Sequence, residues 1–217
     1  MKQKLIIVIS LPRSGTNYFF DNIQKCDKYD IASYYEVFND SFYNKSGCWD
    51  NFYEKYSASS KLDVLDKLLK YGNGLQKKLD YQPNNHENKI NIIKIFPNHI
   101  SKKEFIQLLG NNEYDIRVLF LMRNIDDVHQ SYYHAQTTND WTRCRNTKLQ
   151  KTDICKMLEN IEFKKIYEEK TFDCYKHDML NIVKYYKKEY RMLYFDDYKN
   201  YQKSEFEEMI SGLFFNT

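Results

Sequence analysis

The chain has 217 residues, 42% of them hydrophobic, with 20 Tyr, 14 Phe and 2 Trp, which is apolar material for one full core and points to a single domain over 1–217. Charged residues make up 29%, yet the formal net charge is only +3, so neither a disordered acidic chain nor a nucleic-acid-binding protein is indicated. The longest purely aliphatic run, Leu5 to Ile9, falls far short of the roughly 20 residues of a membrane helix and is too short for a secretory signal, so the expectation is a cytoplasmic protein with no membrane span.

Lys4 to Ile9 (KLIIVI) reads as a buried strand, followed by a helix starting near Gly15 that carries Tyr18, Phe19, Ile23 and Cys26 at helical spacing. A second apolar stretch covers Tyr29 to Tyr35. Leu62, Leu65, Leu68 and Leu69 mark a helix that stops at Tyr71-Gly72-Asn73-Gly74. Lys89 to Phe96 (KINIIKIF) is a further strand, ended by Pro97. Ser101-Lys102-Lys103-Glu104 forms a capping box ahead of Phe105, Leu108 and Leu109, with Gly110 as the stop. Ile116 to Met122 (IRVLFLM) is the clearest buried strand, and Asn124-Ile125-Asp126-Asp127 opens a helix running to about Gln136. A helix-compatible region spans Lys151 to Glu189, then a strand over Arg191 to Phe195 and a helix over Lys203 to Phe215. Nearly all-apolar strands alternating with helices predict an α/β fold with a parallel sheet covered on both faces.

The five cysteines (Cys26, Cys48, Cys144, Cys155, Cys174) form neither a CxxC nor a Cys/His pair at zinc spacing, and are read as reduced, mostly buried thiols. Lys, Asn and Tyr are over-represented, while there are only six arginines. In so lysine-rich a chain, a position that merely needs positive charge is usually Lys, which makes each Arg informative.

Two segments carry chemistry. Leu11-Pro12-Arg13-Ser14-Gly15-Thr16-Asn17 joins a strand to a helix, and such a turn aims backbone N–H groups, the helix dipole and two hydroxyls at one spot, which suits an anion such as phosphate. It is not a Walker A loop, because GxxxxGK[ST] is absent; Arg13 supplies the cation with a fork that can grip two oxygens. In the second segment, Arg123 ends a buried strand, where open α/β sheets bind ligands, and Ser131 lies eight residues on, placed to face the same crevice.

Together these segments resemble the sulfotransferases that use 3′-phosphoadenosine 5′-phosphosulfate (PAPS). Arg13-Ser14-Gly15-Thr16 is similar to their 5′-phosphosulfate loop, and Arg123 to His134 (RNIDDVHQSYYH) resembles their 3′-phosphate motif, including the Arg-to-Ser spacing. Met192-Leu193-Tyr194-Phe195-Asp196-Asp197-Tyr198 resembles the late "LxYEDL" strand end. The resemblance covers residues 5 to about 214 and implies a three-layer α/β fold with a central parallel sheet of P-loop NTPase-like, sulfotransferase topology.

It further implies that Arg13, Ser14, Gly15, Thr16 and Asn17 hold the 5′-phosphosulfate, that Arg123 and Ser131 hold the 3′-phosphate, and that Tyr18 stacks on the adenine, where cytosolic members carry Trp. PAPS is then the sulfuryl donor and adenosine 3′,5′-bisphosphate the product, with no metal required. Cytosolic members place a catalytic His two residues after a Lys; here Lys94 has Phe96 at that position. Glu36, in Tyr35-Glu36-Val37-Phe38-Asn39, resembles the "GExFN"-like segment of carbohydrate-type and bacterial members whose Glu is the base, with His99 in reserve. His86, His129, His134 and His177 read as surface or packing residues. The family's basic, Gly-rich closing segment (RKGxxGxW) is not found after the last helix, so the expectation is either a more open 3′-phosphate pocket or one completed by Arg143, Arg145 or Lys148, with Trp141 lining the acceptor site.

The expected activity is thus transfer of a sulfuryl group from PAPS to a hydroxyl acceptor, a carbohydrate or small alcohol, with Glu36, Lys94 and Arg13 as catalytic residues. The alternatives are a catalytically weak or inactive nucleotide-binding protein and a nucleotide-dependent phosphotransferase.

Overall fold

The computed structural model describes residues 2–39, 58–71, 89–97, 99–138 and 169–214. Five strands pair in parallel in the order β2-β3-β1-β4-β5: β1 (Gln3–Ser10), β2 (Asp30–Ser33), β3 (Lys89–Ile95), β4 (Tyr114–Met122) and β5 (Glu189–Tyr194). The helices are α1 (Thr16–Ile23), α2 (Lys61–Tyr71), α3 (Lys102–Gly110), α4 (Ile125–Thr138), α5 (Glu169–Tyr185), α6 (Phe195–Tyr198) and α7 (Lys203–Phe214). This is a three-layer α/β fold whose central sheet is parallel throughout, as the alternation of apolar strands and helices predicts. Among the described residues no helix is long and apolar enough to cross a membrane.

The pleat divides the core. On one face, Leu5, Ile7, Ile93, Ile116 and Val118 pack with Leu65 and Leu69 of α2, Phe105 and Leu109 of α3, and Val183 of α5. On the other, Ile6, Val8, Ile92 and Leu119 pack with Phe19 and Phe20 of α1 and with Phe206 and Ile210 of α7. β1 and β3 are buried on both faces because both layers cover them, as parallel crossovers require, and β3 carries the buried polar residues Asn91 and Lys94 among its isoleucines.

The last strand departs from the sequence expectation. It starts two residues earlier, at Glu189, and Phe195 belongs to the single turn of α6. Nor is it buried on both faces: Tyr190, Met192 and Tyr194 are exposed, because β5 lies at the sheet edge and pairs only with β4 among the described strands. Of the cysteines, Cys26 is buried and Cys174 exposed, and both are free thiols; Cys48, Cys144 and Cys155 lie outside the described residues.

Arginine explains how α7 is held. Arg117 Nε donates to the Leu213 carbonyl at 2.6 Å, and Arg191 Nη2 donates to the Gly212 carbonyl at 3.0 Å. Both satisfy carbonyls of the last helical turn, which have no partners within the helix.

At α3 the capping box forms as its sequence requires: the Glu104 amide donates to Ser101 Oγ at 3.2 Å, and the Ser101 amide donates to the Glu104 carboxylate at 2.8 Å. Ser101→Ala is therefore expected to lower the unfolding free energy by about 1 kcal/mol. Phe105→Ala, which empties a fully buried site between α3 and the sheet, is expected to cost about 3–5 kcal/mol. Denaturant titration of both variants checks the ranking.

Candidate functional site

Because every strand runs the same way, the segments after β1, β2, β3 and β4 emerge at one end of the sheet, the end where open α/β folds bind ligands. The β1–α1 turn is built around two left-handed residues, Arg13 (φ 68°) and Gly15 (φ 80°), flanking Ser14. This reversal leaves the start of α1 without any side-chain cap, so its first amides and the positive end of the helix dipole are available to an anion. Ser14 and Thr16 are buried beside it. Gly15 is required twice over: its conformation is one that side chains rarely adopt, and a Cβ there would run into the Phe195 ring and stand 2.9 Å from the Tyr198 hydroxyl.

The turn is held from outside by α6. The Tyr198 hydroxyl donates to the Ser14 carbonyl at 2.7 Å, and the Tyr18 hydroxyl donates to the Lys199 carbonyl at 2.7 Å. Tyr18 is 39% exposed and lies edge-on to Phe195, with ring centroids 6.2 Å apart, so an aromatic face borders the turn where the resemblance implies an adenine.

Arg13, Arg123 and Ser131 come together although 118 positions separate the first and last. Arg13 Nε donates to Ser131 Oγ at 3.1 Å, and Arg123 Nη1 donates to the Arg13 carbonyl at 3.0 Å. The Arg123 guanidinium sits 4.7 Å from the Phe195 ring centre and its Nε is 4.0 Å from the Asp127 carboxylate. The resemblance divides these residues between the two ends of a nucleotide. In the structure the Arg13 side chain lies against Ser131, so the two arginines and the serine form one continuous cationic corner.

A second cluster lies on the α1 side of the turn. Lys94 projects from β3 onto the face occupied by Phe20 and is buried, not solvent-facing; its side chain is 4% exposed. Its ammonium donates to Glu36 Oε1 at 2.8 Å and to Asn17 Oδ1 at 2.9 Å, and lies 5.4–5.9 Å from the ring centres of Phe96, Tyr35 and Phe20. Because Lys is donor-only, the Asn17 oxygen must face it, which turns the Asn17 NH₂ group away from Lys94.

Glu36 reaches this place because Tyr35 adopts φ 46° after β2; the Tyr35 carbonyl accepts the Lys94 amide at 2.8 Å and the chain then turns back over β3. The Glu36 side chain is 21% exposed, more open than Lys94 and His99, which are 4% exposed each. Burial alone would raise its pKa, but the charge and hydrogen bond of Lys94, the Asn39 amide donated at 2.8 Å and the nearby His99 outweigh it and hold the carboxyl below its ordinary range.

His99 is buried, accepts the Phe96 amide at Nδ1 (3.3 Å) and presents Nε2 4.0 Å from the Glu36 carboxylate. With Nδ1 accepting, the ring proton of neutral His99 is on Nε2, facing Glu36. Glu36 and His99, alternative bases at the level of sequence, are therefore neighbours, and Glu36 is the one open to an acceptor. His129 is buried and His177 exposed. His86, Trp141, Arg143, Arg145 and Lys148 lie outside the described residues. Among the described residues no group of three or more His, Cys, Asp or Glu could hold a metal ion.

Sequence reasoning missed Phe195 and Tyr198 as walls of the turn, and the Asn17–Lys94 bond that ties the two clusters. Only the long-range contact reveals them, since neither residue carries a local signal of its role.

No protein-family model matches the chain, and no curated protein matches it in sequence. Among solved structures it is similar to "a putative kinase from Chloroflexus aurantiacus J-10-fl", with 7% identity, a TM-score of 0.49, and coverage of 98% of this chain and 99% of that one. It is also similar to a structure of the PezAT chromosomal toxin–antitoxin system of Streptococcus pneumoniae, with 14% identity, a TM-score of 0.41, and coverage of 100% of this chain and 80% of that one. Neither likeness bears on the chemistry of the site, which rests on the residues themselves.

Two outcomes follow from the geometry. Lys94→Met removes the main influence lowering the Glu36 pKa, leaving burial opposed only by the Asn39 hydrogen bond and His99, so the carboxyl should titrate higher than in the parent, as read by ¹³C NMR of the Glu36 carboxyl. In the parent the Glu36 pKa is lowered on folding, so its stabilisation is present above the unfolded value and lost as pH falls through the folded one. Gly15→Ala should disrupt the turn and lower stability by about 1–3 kcal/mol, measured by thermal unfolding.

Proposed function

We propose that the chain is a PAPS-dependent sulfotransferase acting on a hydroxyl acceptor, a carbohydrate or other small alcohol, with Glu36 as general base. The single observation that best supports this reading is the buried Lys94 ammonium, which bonds Glu36 on one side and Asn17 of the anion-binding turn on the other. A base and an anion site joined through one cation suit an in-line transfer, in which a proton leaves the acceptor while negative charge grows on the leaving phosphate.

The donor fits the residues present. The uncapped start of α1, the Arg13 guanidinium, the Ser14 and Thr16 hydroxyls and the Asn17 amide would hold the phosphosulfate, and Arg123 and Ser131, beside Arg13, would hold the 3′-phosphate. Tyr18 offers a ring to the adenine.

In the transfer, Glu36 accepts the acceptor's hydroxyl proton as the acceptor oxygen bonds to sulfur and the sulfur–oxygen bond to the 5′-phosphate breaks. The electron pair of that bond goes to the phosphate, giving adenosine 3′,5′-bisphosphate. Once Glu36 takes the proton, the Lys94 ammonium no longer has it as counter-charge and can offset the charge growing on the phosphate; it favours that half of the exchange, not the proton transfer, because it stabilises the ionised carboxyl. A lowered Glu36 pKa keeps the carboxylate ionised, hence competent as a base, throughout the neutral range.

Calorimetry should show binding of adenosine 3′,5′-bisphosphate that does not depend on Mg²⁺. A preference for ATP with Mg²⁺ would replace this reading by a phosphotransferase. Arg123→Ala should weaken adenosine 3′,5′-bisphosphate binding at least tenfold more than adenosine 5′-phosphate binding, about 1.4 kcal/mol of selectivity. With labelled PAPS and a panel of sugars and small alcohols, Glu36→Gln should lower kcat by about 10²–10⁴-fold. Unchanged turnover in that variant would remove Glu36 as the base, and no turnover by the parent on any acceptor would leave a nucleotide-binding protein.

A further inference from the structure

The acid–base cluster stands on two turns, each closed on itself. In the first, the Asn39 amide donates to the Glu36 carbonyl at 2.9 Å. In the second, the His99 amide donates to the Phe96 carbonyl at 3.0 Å, and the Phe96 amide returns the bond to His99 Nδ1. The turns follow different strands, β2 and β3, and Glu36 and His99 approach to 4.0 Å between them.

Lys61 joins them from a third element. Its half-buried ammonium donates to the Phe38 carbonyl at 3.3 Å and to the His99 carbonyl at 3.0 Å, one from each turn. Lys61 is the first residue of α2, where the helix dipole disfavours a cation, so helix formation does not account for it. The helix behind it is fixed: Val64, Leu65, Leu68 and Leu69 are buried, and the Tyr34 hydroxyl donates to the Leu68 carbonyl at 2.9 Å. The ammonium is therefore held on a rigid support, and the two bonds that link the turns go to main-chain carbonyls, which cannot swing away as a side chain can.

We propose that Lys61 is a positioning residue that straps the Glu36 turn to the His99 turn and so fixes where the Glu36 carboxylate stands relative to an acceptor hydroxyl. This rests on Glu36 being the base. The strap touches neither donor nor acceptor, so its loss should affect the chemical step and leave donor binding alone.

The test compares Lys61→Met and Lys61→Arg in the full chain. Lys61→Met should lower kcat by about tenfold to a hundredfold, the scale of a misplaced catalytic group, with KM for PAPS and Kd for adenosine 3′,5′-bisphosphate within about twofold of the parent. Amide hydrogen exchange at Asn39 and His99 should quicken together by about tenfold or more, while the amides of α2 keep their protection. Lys61→Arg, which keeps the donors, should recover most of kcat. Should Lys61→Met not fold, Lys61→Gln, shorter and uncharged, is expected to move every readout the same way. Unchanged exchange at the two turns would overturn the strap, and faster exchange with unchanged kcat would reduce Lys61 to a structural role. If the parent transfers no sulfuryl group, the sulfotransferase reading falls by itself; the strap is then decided by the exchange data and by whether Lys61→Met shifts the Glu36 carboxyl ¹³C resonance.

Discussion

A lysine ammonium buried against an apolar sheet is the constraint around which this molecule is arranged. Lys94 lies on β3 beside Ile92 and the rings of Phe20 and Phe96, where burying an unpaired charge is costly. Glu36 and Asn17 meet that demand, and each comes from a different connection at the carboxyl end of the sheet. The left-handed turn at Tyr35 and the entry into α1 are thus coupled by electrostatics, not only by packing. Removing one member of such a pair is more damaging than replacing both, because it leaves the other charge buried alone.

The fold was legible in the sequence to the extent that hydrophobic patterning decides it. KLIIVI, KINIIKIF and IRVLFLM became β1, β3 and β4 within two residues of their expected limits, and the Ser101 capping box opened α3. The fifth strand was placed two residues late because it opens on exposed Glu189 and Tyr190, ahead of the run Met192 to Phe195 on which the expectation rested. Lys94 shows the other limit: one charged residue in a strand reads as a solvent-facing position until the sheet order puts a helix over it. Glu36 was selected through a resemblance, and its ion pair with Lys94 depends on a positive φ at Tyr35 that a tyrosine does not announce.

The scarcity of arginine was informative, though more broadly than expected. Arg13 and Arg123 form the cationic corner, but Arg117 and Arg191 are equally specific, and their targets are the carbonyls that end α7. Planar, directional donors suit both tasks, whether the acceptor is a main-chain oxygen or a phosphate. In a chain where Lys serves as the ordinary surface cation, arginine marks places where geometry as well as charge is required.

The bonds from Tyr198 to Ser14 and from Tyr18 to Lys199 tie the anion-binding turn to residues more than 180 positions away. The turn emerges early during synthesis and cannot be completed until α6 has been made and docked on it. Nascent chains therefore carry the Arg13–Thr16 segment without its outer wall, and the turn acquires its final shape only late in synthesis, once the residues that follow β5 have docked on it.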